Sequence, residues 1–270
     1  MKKFLAVLVV LSMFFSFIPP VEGSSFECPT PKSLMLHSWY GAKNTKRLAE
    51  AIVDKGWVTY TYSQVYDLWD NGQCVPENVI LVSLDDFYSV YESKVLSDMA
   101  DVFVDYGLVM TLGLITRTDS YKQDDKLWEK FKYLEEKGFE IASHSVNHDN
   151  PYELDTVYLK QELELSYDMI CQNLGTCPET YILPYGIAWD YDRLLAIAKP
   201  LYRAVVSIGG PSTYKGDLLI LRRISPGTSS PENVIEILEN NFFWFDNVKE
   251  LSFQPGKTGK RKIKFTVFAR

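Results

Sequence analysis

Two aspartates and three histidines are the residues of this chain whose types and spacing suit chemistry. Asp85 and Asp86 adjoin at the end of the apolar run Val79–Leu84, and His144 and His148 stand four apart behind Phe139-Glu-Ile-Ala-Ser. Two imidazoles at that spacing converge on one ion when the segment between them makes a helical or loop turn. The chain has three histidines in 270 residues, so two at ligand spacing directly after a buried-strand pattern point to a metal. A carboxylate would complete a set of two histidines and an acid. Such a set leaves a coordination position open for water, as catalytic sites do. Adjacent residues of a strand face opposite ways, so both aspartates serve one site only if the chain bends there. Otherwise the pair reads as a turn or helix cap. His37 closes the run Leu34-Met-Leu-His, a place that suits a proton donor or a buried imidazole bonded at a strand end.

These positions share a structural setting, because each ends an apolar run, and Pro184-Tyr185-Gly186 follows another. Strands are predicted over Leu34–His37, Val79–Leu84, Leu108–Leu114, Phe139–Ser143, Tyr181–Leu183, Ala204–Ile208 and Leu218–Leu221. Amphipathic stretches lie between them. Helices are predicted over Lys46–Lys55 behind Asn44, Ser93–Tyr106, Asp125–Lys137, Asp155–Leu174, Tyr191–Ala198 and Pro231–Asn240. Gly56, Gly107, Gly138 and Gly175 act as stops. This alternation defines an α/β fold with a parallel sheet, and seven strands suggest a closed or nearly closed barrel. Ligands and catalytic groups collect at the C-terminal strand ends of such folds, where the motifs fall.

Over roughly Leu34 to Ile224 the chain resembles the polysaccharide deacetylases of carbohydrate esterase family four, the NodB-homology domain. Ser83-Leu84-Asp85-Asp86-Phe87 is similar to the family's Thr-Phe-Asp-Asp-Gly motif, and His144-Ser145-Val146-Asn147-His148 to its His-(Ser/Thr)-x-x-His motif. Ile182-Leu183-Pro184-Tyr185-Gly186 resembles its Arg-x-Pro-Tyr/Phe-Gly motif with the arginine missing. An apolar residue there is similar to the secreted branch acting on poly-N-acetylglucosamine. The resemblance implies a distorted (β/α)7-type barrel in a single domain. It implies a divalent metal held by Asp86, His144 and His148, with Asp85 as the base that deprotonates a metal-activated water. Zinc suits the mixed nitrogen and oxygen ligands best. The backbone N–H of Tyr185 would stabilise the developing oxyanion. His37 resembles the early acid histidine of that branch, and no histidine follows His148 to serve as the family's usual late acid. Arg223, with Arg222 as the neighbouring alternative, would hold Asp85 in position. Phe87 replaces the family's glycine and resists positive φ, so the loop should differ there. Sugar recognition would draw on Trp39, Tyr40, Phe87, Tyr88, Tyr185 and Trp189.

The remaining sequence bounds this reading. Lys2 and Lys3 precede the apolar run Phe4–Ile18 and then Pro19 and Pro20, so residues 1–23 read as a secretory signal peptide. The run is short for a membrane span, and a secreted, extracellular or periplasmic protein without stable membrane insertion is expected. The deacetylase domain is assigned to residues 24–250, a length suited to one α/β barrel. Formal net charge is −7, with no long basic patch before residue 257, so nucleic acid is not an expected partner. Four cysteines without Cys-x-x-Cys spacing suit an oxidising compartment, with Cys28–Cys74 and Cys171–Cys177 as the expected disulfides. Residues 251–270 carry Lys257, Lys260, Arg261, Lys262 and Lys264 and read as a hairpin or tail. Its charge serves either as a guarded edge or as a surface for an anionic polymer. The expected function is removal of acetyl groups from an N-acetylated polysaccharide or oligosaccharide. The rivals are a glycan-binding protein without turnover and a barrel glycosidase, whose carboxyl groups would stand ~5–9.5 Å apart. A metallopeptidase lacks its His-Glu-x-x-His pattern here.

Overall fold

The computed structural model describes residues 31–87, 90–117, 125–151, 153–186, 191–208, 213–215, 218–227, 229–239, 248–255 and 261–267. In chain order these hold β1 (Lys32–Leu36), α1 (Gly41–Asp54), β2 (Val58–Tyr60), α2 (Tyr62–Asp70), β3 (Val79–Phe87) and α3 (Val90–Asp105). There follow β4 (Thr111–Leu114), α4 (Asp125–Glu136), β5 (Glu140–Ser143), α5 (Thr156–Leu174), β6 (Thr180–Ile182), α6 (Tyr191–Ala198) and β7 (Ala204–Ile208). The last are β8 (Thr213–Lys215), β9 (Leu218–Arg223), α7 (Pro231–Glu239), β10 (Val248–Pro255) and β11 (Arg261–Val267).

The parallel sheet runs β1-β3-β4-β5-β6-β7-β9. It curls until Ile224, just past β9, meets Leu34 of β1 in a parallel bridge. Two hydrogen bonds close it there, Met35 N–H to the Ile224 carbonyl and Ile224 N–H to the Ser33 carbonyl, each 2.9 Å. The barrel is distorted because short strands occupy edges that neighbours would otherwise extend along. The hairpin strand β8 pairs antiparallel with the start of β9, and β2 pairs with the start of β3.

Residue alternation along β3 sorts the core into two layers. Ile80, Val82 and Leu84 pack outward with Leu48 and Ile52 of α1 and Phe103 of α3. Val79 and Leu81 face inward, onto Tyr62, Val65, Tyr66 and Trp69 of α2. That helix therefore plugs the N-terminal end of the barrel. The carboxylate of buried Glu140 anchors it by accepting hydrogen bonds from Ser63 N–H (3.1 Å), Thr111 Oγ1 (2.9 Å) and Thr180 Oγ1 (2.6 Å). Burial raises the Glu140 carboxyl above its usual range, against those three donors.

The expected seven barrel strands are present, with corrections at their margins. The helix expected from Lys46 begins at Gly41, because the 3-10 turn Ser38–Tyr40 runs straight into it and leaves Asn44 inside the helix. The strand expected from Leu108 starts at Thr111. Leu108 N–H bonds back to the Phe103 carbonyl at the end of α3 (2.8 Å), and Val109 N–H to Thr59 Oγ1 (2.6 Å). The helix α2 was not expected, although Thr61 and Gln64 cap it reciprocally. Cys171, in the last turn of α5, and Cys177 beyond it form the expected disulfide. Cys74 is also disulfide-bonded, while its expected partner Cys28 and the leader 1–23 lie outside the described residues. The tail forms an antiparallel pair, β10 with β11. No helix among the described residues is long and apolar enough to cross a membrane.

Candidate active site

The inward face of β3 continues from Leu81 through Ser83 to Asp85, which brings Asp85 to the mouth of the barrel with 1% of its surface exposed. Simple alternation would turn Asp86 away. Instead the register with β4 shifts between Leu84 and Phe87, and Asp86 adopts φ 70°. This bulge is the bend the aspartate pair requires, and it aims both carboxylates at one site. The left-handed conformation falls on an aspartate, one of the side chains that tolerate it best. Phe87, expected to disturb the loop by replacing a glycine, carries no positive φ. Its ring is fully buried, edge-on to Phe131 at 5.5 Å.

Opposite β3, the loop after β5 carries His144 and His148. The His144 ring accepts no choice of tautomer: its Nδ1 lies 2.8 Å from the Ile182 carbonyl, which can only accept, so Nδ1 bears the proton. Its Nε2 then faces Asp86 Oδ1 at 3.3 Å, and His148 Nε2 faces the same oxygen at 3.4 Å. Asp86, His144 and His148 bring one ligand atom each to within 4.8 Å of one another. Asp86 Oδ1 is buried without a hydrogen-bond partner, which a cation would satisfy. The charge states agree with that use. Burial opposes ionisation of Asp86, but the imidazoles, His144 foremost, outweigh it and hold the carboxyl at about 2. Burial and the neighbouring His144 lower His148 to about 4, so it is neutral and able to ligate near pH 7.

His37 approaches the other side of the same carboxylate, Nε2 to Asp86 Oδ2 at 3.7 Å. Burial lowers its pKa against the pull of Asp85 and Asp86. Arg223, at the end of β9, reaches across the barrel. Its Nη1 donates to both oxygens of Asp85 (2.9 and 2.7 Å) and to Ser83 Oγ (2.6 Å), and its Nε to the Ser207 carbonyl (3.4 Å). The side chain of Arg222 lies outside the described part. Close packing makes this arrangement possible: a Cβ on Gly113 would come within 3.3 Å of Asp85 and 3.2 Å of Ile182. Ile182, where the family motif carries arginine, is a fully buried residue of the inner layer.

Tyr185 projects from a tight turn at φ 58°, its ring 4.8 Å from that of His148 and 60% exposed. The following Gly186 has φ 68°, and a Cβ there would stand 2.5 Å from the Ile208 side chain. Trp39 stacks on His37 at 4.0 Å and 12° and is 57% exposed. Among the described aromatic residues expected at the rim, Trp39 and Tyr185 are exposed, whereas Tyr40 and Phe87 belong to the outer core layer. Tyr88 and Trp189 lie outside the described residues. Among the described residues, the non-glycine positions with positive φ are Asp86, Ser145, His148 and Tyr185. Each costs about 1–3 kcal/mol, and such strain concentrates at functional sites. Gly113 and Glu162 were not singled out in the sequence. An acid on the buried stripe of α5 beside Leu159 and Leu163 is the signal that marks Glu162.

The polysaccharide deacetylase family pattern matches residues 72–204, a span that holds the Asp-Asp, His-Ser-x-x-His and Pro-Tyr-Gly motifs. Over those residues the chain resembles the polysaccharide deacetylase family. Its fold is similar to that of the Streptococcus pyogenes deacetylase PplD in complex with acetate (TM-score 0.61, 19% identity, 80% of this chain and 99% of that chain). It is also similar to a polysaccharide deacetylase from Bacillus cereus (TM-score 0.60, 16% identity, 78% and 69%). A third similar structure is IcaB from Ammonifex degensii (TM-score 0.58, 12% identity, 79% and 100%). No curated protein matches the sequence.

Proposed function

We propose that this protein is an exported, metal-dependent deacetylase that removes acetyl groups from N-acetylated sugars of the poly- or oligo-N-acetylglucosamine type. The observation that carries the proposal is the meeting of two groups: the Asp86, His144 and His148 ligand set, and beside it Asp85, outside that set and gripped by Arg223. An amide is a poor electrophile with a poor leaving group, so both ends of the reaction need assistance. A bound divalent cation, zinc by preference, supplies Lewis acidity and lowers the pKa of water towards ~7. Asp85 accepts the proton of the water that attacks the acetyl carbon. The Tyr185 backbone N–H donates to the carbonyl oxygen as negative charge develops there. His37 gives a proton to the departing sugar nitrogen. The bond from carbonyl carbon to nitrogen breaks, and acetate and a free amine result. Residues 1–23, read as a leader, are the basis for proposing export.

The exposed faces of Trp39 and Tyr185 are the platforms proposed for pyranose rings. Aromatic contacts are worth roughly 0.5–1.5 kcal/mol beyond area burial, so Trp39→Ala should raise KM for a chitooligosaccharide about 2–10-fold, and Trp39→Phe should keep most of the affinity. An unchanged KM in Trp39→Ala would remove this residue from substrate binding.

The deciding experiment follows acetate release from N-acetylglucosamine oligomers by the mature protein, with zinc and with a chelator, alongside its metal content. Release that stops on chelation and returns with zinc supports the proposal. Tight metal binding without release would favour glycan binding without turnover or another acetylated substrate, and a protein that binds no metal would overturn the proposal.

A further inference from the structure

We propose that Glu162 is a positioning residue of the metal site, whose carboxylate fixes the loop carrying His148 and so sets how tightly the site holds its metal. The inference rests on the metal reading of Asp86, His144 and His148. Between the two histidines the loop runs through Ser145 at φ 68° and reaches His148 at φ 61°. Positive φ is uncommon for any residue but glycine, so outside restraint helps the loop keep His148 Nε2 beside Asp86.

That restraint comes from α5. Glu162, 7% exposed, accepts hydrogen bonds at Oε2 from Val146 N–H (3.0 Å) and Asn147 N–H (2.8 Å), and at Oε1 from Asn147 Nδ2 (2.6 Å). One turn further along the same helix face, Ser166 Oγ bonds Ser143 Oγ (2.8 Å), which also takes Ser145 N–H (3.4 Å). Ser145 Oγ in turn accepts His148 N–H (2.9 Å). The Ser145 carbonyl accepts Thr116 N–H (3.0 Å), and the preceding links lead back to Glu162 and Ser166, the polar residues on the otherwise apolar stripe of α5. All three donors to Glu162 are neutral amides of this loop, so the carboxylate is used as an acceptor of fixed geometry. Groups outside the ligand set that orient ligands commonly change metal affinity 10–100-fold when removed.

Charge and geometry are separable by substitution. Glu162→Gln loses the charge but keeps an acceptor for the two backbone N–H groups, and its amide can donate to a flipped Asn147. Glu162→Met loses the charge and every acceptor at similar length. The test is zinc affinity by chelator competition for wild type and both variants, with thermal melting of each in the presence and absence of zinc. Wild type should bind zinc, Glu162→Gln should bind within about 3-fold of it, and Glu162→Met should bind on the order of 10–100-fold more weakly. The zinc-induced rise in Tm should shrink in Glu162→Met, a change that general loss of packing would not produce. Equal affinities in all three, or equal losses in both variants, would overturn the role of Glu162 while leaving the metal site standing. Failure of the wild type to bind zinc would overturn the metal site itself, and this inference with it. Should Glu162→Met not fold, Asn147→Ala at its exposed position removes one of the three bonds. A several-fold weaker zinc affinity is then expected, and an unchanged one overturns the inference.

Discussion

Replacing Asp85 by asparagine is expected to lower acetate release about 10²–10⁴-fold, the range that positioned general bases contribute, in protein that still holds its metal. The separation of the two aspartates makes this outcome specific. Asp86 supplies the oxygen that both Nε2 atoms face, whereas Asp85 stands outside the ligand set with both of its oxygens on Arg223 Nη1. Asparagine preserves the size of the side chain and removes its ability to take a proton. Rate, metal content by elemental analysis and Tm should be measured on the same preparation, because the change also disturbs a buried ion pair. A rate within tenfold of wild type in folded, metal-loaded protein would exclude Asp85 as the base. Loss of metal together with activity would instead place Asp85 among the ligands.

The barrel strands were legible because parallel strands covered on both faces read as unbroken apolar runs, as Val79–Leu84 and Ala204–Ile208 do. Helix ends were legible at Gly107, Gly138 and Gly175, which have φ of 66°, 89° and 80°. Tyr60-Thr-Tyr-Ser concealed α2, since its aromatic and β-branched residues suit a strand, and the Thr61 and Gln64 capping pair carried the opposing signal. At the site, the residue types and their order were legible, and their directions were not. Alternation alone sends Asp86 away from Asp85, and only the pairing of β3 with β4 creates the bulge that returns it. The reach of Arg223 to Asp85 and Ser83 spans 138 and 140 residues of sequence, which no local pattern encodes. The same limit hid Glu162. Helical periodicity assigns it to a buried face, while the donors it serves belong to a loop 15 and 16 residues earlier.

The ion pair behind Asp85 should dominate the response of the fold to single substitutions. Arg223 and Asp85 are 0% and 1% exposed in their side chains, so removing either partner strands a charge away from water. Breaking such a pair costs about 3–5 kcal/mol. For a chain of this size each kcal/mol moves Tm by about 2–4 °C, so Arg223→Met should lower Tm on the order of 10 °C. Its activity should fall as well, because Asp85 loses the group that orients both oxygens. The double variant Asp85→Leu with Arg223→Met removes both charges and should recover most of the lost Tm, as apolar replacements of buried pairs commonly do, while remaining inactive. Stability and activity would then part company, the first restored and the second not, which identifies the pair as a catalytic device kept at some cost to the fold. A double variant no more stable than Arg223→Met alone would instead assign the loss to the packing of the guanidinium against Ser83 and Ser207, with the charge on Asp85 playing no part.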